Sequence, residues 1–329
     1  MSSTPGAAAA GGGGGGRELK DILMRSLVIT DHPDIQQITL NIITTILLQV
    51  PSSTSSPFTS LLMELSKDDI TMILSHAIKQ CDINPSLIRE VDLGPFKHKQ
   101  DDGLPLRKAS YTCLTAFLTS SSYPVIAHTA LHYLCHNRCQ TEEQGEQEIT
   151  LADLLIKGSQ DHEDIQGLCC ELLCRSWFAA TTSTTTNHGA SSSSRSSGGG
   201  SNNRILLERE ITRKAGSVIE AMHKPISMLL RRLQRQEGGG GGGGGLKSSA
   251  GGRVEYARAT NTLKSFVKAV YTLTNIVSSS STPLITNKHE EQQHGTHTHN
   301  DDDELRIFRD MIKRLDQEPA WRTVVSAMS

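Results

Sequence analysis

The pattern Asp-His-x-Asp-Ile-Gln occurs twice in this chain, at Asp31 to Gln36 and at Asp161 to Gln166, and each copy runs into an amphipathic stretch. Such a repeat commits a chain to stacking similar units, because one turn and one helix cannot bury an apolar face alone. After the first copy, Ile35, Ile38, Ile42 and Ile46, with Ile43 and Leu47 alongside, form a stripe at helical spacing. After the second, Ile165, Leu168, Cys169, Leu172 and Leu173 do the same. Asp101-Asp102-Gly103 ahead of Leu106, Ala109, Cys113, Ala116 and Phe117 is a looser third copy. In each copy an Asp is expected to accept hydrogen bonds from first-turn N–H groups and to favour the positive end of the helix dipole.

Helices are also readable ahead of these turns, at Arg17 to Ile29, Lys67 to Gln80 and around Leu151 to Lys157. The unit is therefore helix, acidic turn, helix. The expected fold class is all-α, a HEAT-like α-solenoid of antiparallel helix pairs with one projecting β-hairpin and long disordered insertions.

Three glycine runs hold 17 of the 28 glycines, so the folded part is shorter than the 329 residues. Residues 1–16 are expected to be a disordered tail, being too poor in large apolar groups to offset ordering entropy. HEAT-like repeats should fill 17–179, with the hairpin at 89–103. Linkers are expected at 180–203, 237–252 and, rich in His and Asp, 278–303; helices should occupy 204–236, 253–277 and 304–329. Aromatic content of 4% suits thin helical layers. A net charge of -2 gives no nucleic-acid footprint. Seven cysteines without framework spacing point to a reduced intracellular protein. With no signal-peptide pattern and Ile38 to Val50 broken by Asn and Thr, the chain reads as soluble, with no membrane partner.

His128, His132, Cys135 and Cys139 share a helix face and form the one metal-like cluster. A straight helix spreads them over about 16 Å, so at most three could bind one zinc ion, and buried core residues are the plainer account. Cys169, Cys170 and Cys174 lie on or beside an apolar stripe without a base to activate a thiol. His289, His294, His297 and His299 sit in a polar spacer, and Arg231, Arg232 and Arg235 read as the outer face of a helix end. No phosphate loop, nucleophile elbow or buried carboxylate pair is present, so neither an enzyme nor a cofactor is expected.

Between Arg89 and Gln100 the pattern changes. Arg89 to Leu93 and Phe96 to Gln100 alternate as two short strands about the Gly94-Pro95 break, and Asp101-Asp102-Gly103 turns into the next helix. A lone hairpin gains order from a partner. Val91, Leu93 and Phe96 are its apolar anchors, and Lys97, His98 and Lys99 its polar rim. An ordinary interhelical loop is the competing account.

Arg89 to His98, followed by Asp101 to Leu104 and Arg107-Lys108-Ala109, resembles the C-terminal domain of the cullin-associated, neddylation-dissociated proteins, also called TATA-binding-protein-interacting proteins. Asp161 to Ile165 and Leu305 to Met328 are similar to further family segments. The resemblance implies a HEAT superhelix that wraps an unmodified cullin and whose hairpin, here Gly94 to Gly103, competes with the substrate-receptor adaptor. It thus implies promotion of receptor exchange and assembly of cullin-RING (SCF-type) ubiquitin ligases. The implied partner-binding residues are Val91, Leu93, Gly94, Pro95, Phe96, Lys97, His98, Asp101, Asp102 and Gly103, and the implied location is cytoplasm and nucleus. Lys99, Gln100 and Pro105 depart from the family pattern, and the long N-terminal superhelix is missing, so a second chain is a candidate to supply that arm. The family's second name implies an alternative, a transcription-linked scaffold for the TATA-binding protein.

Overall fold

The structure is a computed structural model that describes residues 14–29, 32–49, 57–92, 94, 97–120, 123–136, 149–182, 199–237, 250–280 and 298–328. Its helices are α1 (Gly14–Val28), α2 (Pro33–Leu48), α3 (Pro57–Glu64) and α4 (Lys67–Lys79), then, after strands β1 (Ile88–Asp92) and β2 (Lys97–Asp101), α5 (Leu104–Thr119), α6 (Pro124–His136), α7 (Leu151–Ser159) and α8 (Glu163–Thr182). They continue as α9 (Gly199–Arg213), α10 (Ala215–Glu237), α11 (Ala250–Ser280), α12 (Thr298–Gln317) and α13 (Pro319–Ser326).

The helices form two layers. In the inner layer α2 packs on α5, α5 on α8 and α8 on α11. In the outer layer α4 packs on α6, α6 on α9 and α9 on α12, while α7 packs on α10. Each inner helix follows an outer one, giving the pairs α1–α2, α4–α5, α7–α8 and α10–α11. This is the HEAT-like array of helix pairs expected from the repeat. The core runs along the interface between layers, with Leu40, Leu74, Leu114, Phe117, Leu172 and Phe266 fully buried.

Several local expectations change. Ile35, Ile38 and Ile42 are 37%, 58% and 40% exposed, whereas Gln36, Thr39, Leu40, Ile43, Thr44, Ile46 and Leu47 face the core. Nearly every side of α2 is apolar, so spacing alone does not decide which side its neighbours take. Burial of the threonines is cheap because Thr39 and Thr44 donate their hydroxyls to Ile35 O and Leu40 O, each at 2.8 Å.

The acidic turns differ as well. His32 caps α2 without a side-chain hydrogen bond, and Asp31 lies outside the described residues. Full reciprocal capping occurs instead at α4, where Ser66 and Asp69 exchange bonds. The helices also run into the expected tail and linkers: α1 starts at Gly14, α8 ends at Thr182, α9 starts at Gly199, α11 spans Ala250–Ser280 and α12 starts at Thr298. The rest of those segments lies outside the described residues. Residues 204–236 are divided at Lys214, whose ammonium reaches both Asp153 oxygens at 2.8 Å.

Candidate partner-binding site

The α1–α2 and α7–α8 connections are short, but the α4–α5 connection carries the hairpin. Its strands are antiparallel, pairing Ile88 with Asp101, Arg89 with Gln100, Glu90 with Lys99, Val91 with His98 and Asp92 with Lys97. Among the described residues this two-stranded sheet has no further strand beside it. Alternation divides its side chains into two faces. One carries Glu90, Asp92, Lys97 and Lys99, with Lys97 3.5 Å from Glu90. The other carries Arg89, Val91, His98 and Gln100. All are exposed except Val91, which is half-buried.

At the tip, Gly94 has φ +80°, a left-handed conformation that side chains disfavour, and its N–H donates to Asp92 Oδ1 at 3.1 Å. Leu93, Pro95 and Phe96 lie outside the described residues. Lys99 and Gln100, the departures expected to weaken the strand, sit within β2, and Pro105 occupies the first turn of α5, where its missing N–H costs nothing.

A two-stranded ribbon is marginal by itself, so its base matters. The Asp102 N–H donates to Leu87 O at 3.0 Å, and Arg89 forms an ion pair with Asp102. Asp101 Oδ1 accepts from the Gly103 N–H at 3.0 Å. Beneath them lies Arg107, which the sequence reading quoted only as part of the family-like pattern and not as a site residue. Its side chain is 2% exposed, and its guanidinium bridges two carboxylates. Nε and Nη2 donate to Asp161 at 2.8 and 3.0 Å, and Nη2 and Nη1 donate to Asp101 at 2.8 and 3.3 Å. The second acidic turn therefore serves chiefly to bind arginine: Asp161 ties the α7–α8 connection to the hairpin base rather than capping α8. An arginine among Leu106, Ala109 and Ser110, on the face that must be buried, was the available signal.

Burial opposes the charge on Arg107, but its bonds to Asp101 and Asp161 outweigh this and raise its pKa. The guanidinium in turn holds the Asp101 carboxyl below its ordinary 3.8, against a smaller opposing effect of burial. A depressed folded-state pKa contributes stability that is complete above 3.8 and is lost as the pH falls through the folded value. Amide signals of Arg89 to Asp92 should therefore broaden or shift on acidification below 3.8. In Asp101→Asn the hairpin should already be loose at pH 5 and show no such step. Identical titrations of the two proteins would remove Asp101 as the tether.

A second layer of ion pairs continues along the same end of the array. Asp164 takes Lys108 at 3.0 Å and also Arg258, while Arg232 joins Glu163 at 3.2 Å to Glu255 at 2.9 Å. The hairpin base thus belongs to a charged seam crossing α5, α8, α10 and α11.

Of the metal-like cluster, His128 and His132 line one depression with Asn203 and Leu206 of α9. Cys135 faces the core, where burial pushes its thiol up to about 12, and the His132 and His136 rings meet edge-on at 5.2 Å. Cys139 and the side chains of the 289–299 histidines lie outside the described residues. Among the described residues no group of three or more His, Cys, Asp or Glu is placed to hold a metal ion. Cys169 and Cys170 are buried and their thiols are raised by desolvation; Cys174 is half-buried. Among the described residues no helix is long and apolar enough to cross a membrane.

The family-model match covers the hairpin and its base. The sequence model of the family described as TATA-binding protein interacting (TIP20) matches residues 65–192. Cullin-associated NEDD8-dissociated protein 1 of Dictyostelium discoideum is 46% identical over 57 residues, which is 17% of this chain and 5% of that protein. Its Arabidopsis thaliana namesake is 32% identical over 117 residues, 36% of this chain and 8% of the relative. The Emericella nidulans protein named as the C-terminal part of cullin-associated NEDD8-dissociated protein 1 is 51% identical over 49 residues, 15% of this chain and 5% of its own length. The matches thus span less than a tenth of each of these relatives.

Proposed function

We propose, from the match of residues 65–192 to the TATA-binding-protein-interacting family and the likeness to cullin-associated NEDD8-dissociated proteins, that the chain is a cullin-binding protein without catalytic activity of its own. In this proposal it promotes exchange of substrate receptors on cullin-RING ligases, and its hairpin competes with the adaptor. The supporting observation is the hairpin itself, an exposed ribbon standing out from a helical array and fixed at its base by Arg107.

Exchange then follows from linkage. Two ligands whose sites on the cullin partly overlap weaken each other by the same factor, so the chain raises the adaptor's off-rate and the adaptor raises the chain's. The fixed base matters because a ribbon held in one orientation loses less conformational freedom on docking. In this reading unmodified cullin is the partner, and cytoplasm and nucleus are the compartments. No residue of the hairpin favours the alternative, a scaffold for the TATA-binding protein.

The test is the rate at which labelled adaptor leaves a purified cullin. Native chain should accelerate release about tenfold or more. Replacing residues 94–98 by a Gly/Ser loop, which leaves Asp101 and its tether in place, should abolish the acceleration. Equal acceleration by the two proteins would refute the hairpin mechanism.

A further inference from the structure

The contact between α6 and α9 holds a polar depression away from the hairpin. His128 and His132, four residues apart on α6, line its volume of about 290 Å³ together with Asn202, Asn203, Ile205 and Leu206 of α9. Side chains at this spacing are neighbours, with Cβ atoms about 5–6 Å apart, so two imidazoles can close on one ion. It is also the histidine spacing of helix-borne zinc sites. The facing helix adds an oxygen. Asn203 is 1% exposed, and its Nδ2 donates to His128 O at 3.0 Å. That bond settles the orientation of the amide, because only Nδ2 can donate, and it leaves Oδ1 buried without a hydrogen-bond partner. A buried acceptor left open is costly, and a cation seated in the depression would satisfy it.

We propose that His128 and His132 of α6 and Asn203 Oδ1 of α9 bind one divalent transition-metal ion, which joins the two helices. Imidazole nitrogens beside a single oxygen suit zinc, copper or nickel; magnesium and calcium take oxygen ligands. The site is not the four-residue cluster read along the sequence. Cys135 is turned into the core, and His136, whose Nδ1 donates to Cys135 O at 3.0 Å, is not among the lining residues. Two histidines and an amide also make a set that a search for His, Cys, Asp and Glu passes over. No thiolate or carboxylate lines the depression, so the ion is held less tightly than in a closed structural zinc site, and the test supplies it. The proposal owes nothing to the cullin-binding reading and stands or falls separately from it.

The experiment titrates zinc chloride into the full chain near neutral pH after chelator treatment. His289, His294, His297 and His299 are each replaced by Gln in this background, so that the polar spacer contributes no ligand. Calorimetry should give one saturable ion per chain, and the thermal midpoint should rise with free zinc, as for any ligand that binds the folded state alone. His132→Gln should weaken binding at least about tenfold, as should Asn203→Leu, while His136→Gln should bind like the background. His132 is exposed, so its variant keeps the native midpoint without metal and decides the outcome even where Asn203→Leu fails to fold. Absence of saturable binding, or an affinity unchanged in His132→Gln, overturns the proposal. An affinity unchanged in a folded Asn203→Leu also overturns it, because the site is then a histidine pair on one helix and joins nothing.

Discussion

Arg107→Ala should cost about 3–5 kcal/mol of folding free energy, because it strands two carboxylates that one guanidinium serves. Asp161 is the more exacting of the two, at 6% side-chain exposure against 32% for Asp101. The expected loss is a large share of the roughly 5–15 kcal/mol that holds a typical domain together. Arg107→Lys should recover only part of it: an ammonium keeps the charge but cannot span Asp101 and Asp161 with the planar fork that makes four contacts here. Replacing all three residues together, Arg107→Met with Asp101→Asn and Asp161→Asn, should be milder than Arg107→Ala, since no unpaired charge is then buried. Urea denaturation of the four proteins decides the matter. A shift below about 1 kcal/mol for Arg107→Ala would mean that the triad is not what fixes the hairpin base.

The triad also shows how far the sequence could be read. The repeat, the pairing of helices across acidic turns and the position of the hairpin were legible because each rests on local rules: the helical period, glycine and proline in turns, and alternation in strands. The site beneath the hairpin was not. Asp161 and Arg107 are 54 positions apart, and their contact exists only because the third pair stacks on the second. A local reading assigns Asp161 to the end of α8, where an Asp is useful in any helix. The face of α2 failed for a different reason. Its isoleucines surround the helix, and the choice between Ile35–Ile38–Ile42 and Leu40–Ile43–Leu47 belongs to the neighbours, α5 and α1, rather than to α2 itself.

Two glycines in adjacent helices should respond with opposite sign to the same substitution. Gly158, near the end of α7, faces α5 and α8 so closely that a Cβ there would lie 2.7 Å from Tyr111 Oη and 2.9 Å from Cys169 Cβ. Neither neighbour can yield freely. Tyr111 is fully buried and donates its hydroxyl to Leu154 O at 3.0 Å, while Cys169 is fully buried on α8. Gly158→Ala gains about 0.5–1 kcal/mol of helix propensity. It loses about 1–3 kcal/mol to overpacking and about 1 kcal/mol more if the Tyr111 hydrogen bond is displaced, so strain wins and the protein is destabilised. Gly167 in α8 has nothing within 4 Å of the corresponding Cβ position. With no clash to oppose it, Gly167→Ala should stabilise by about 0.4–1 kcal/mol, through helix propensity and a less flexible unfolded chain. Thermal midpoints of the two single variants test the pair. A Gly158→Ala protein as stable as the native chain would show that α7 can move away from α5 and α8, and that the outer layer beneath the hairpin is not packed as closely as these distances require.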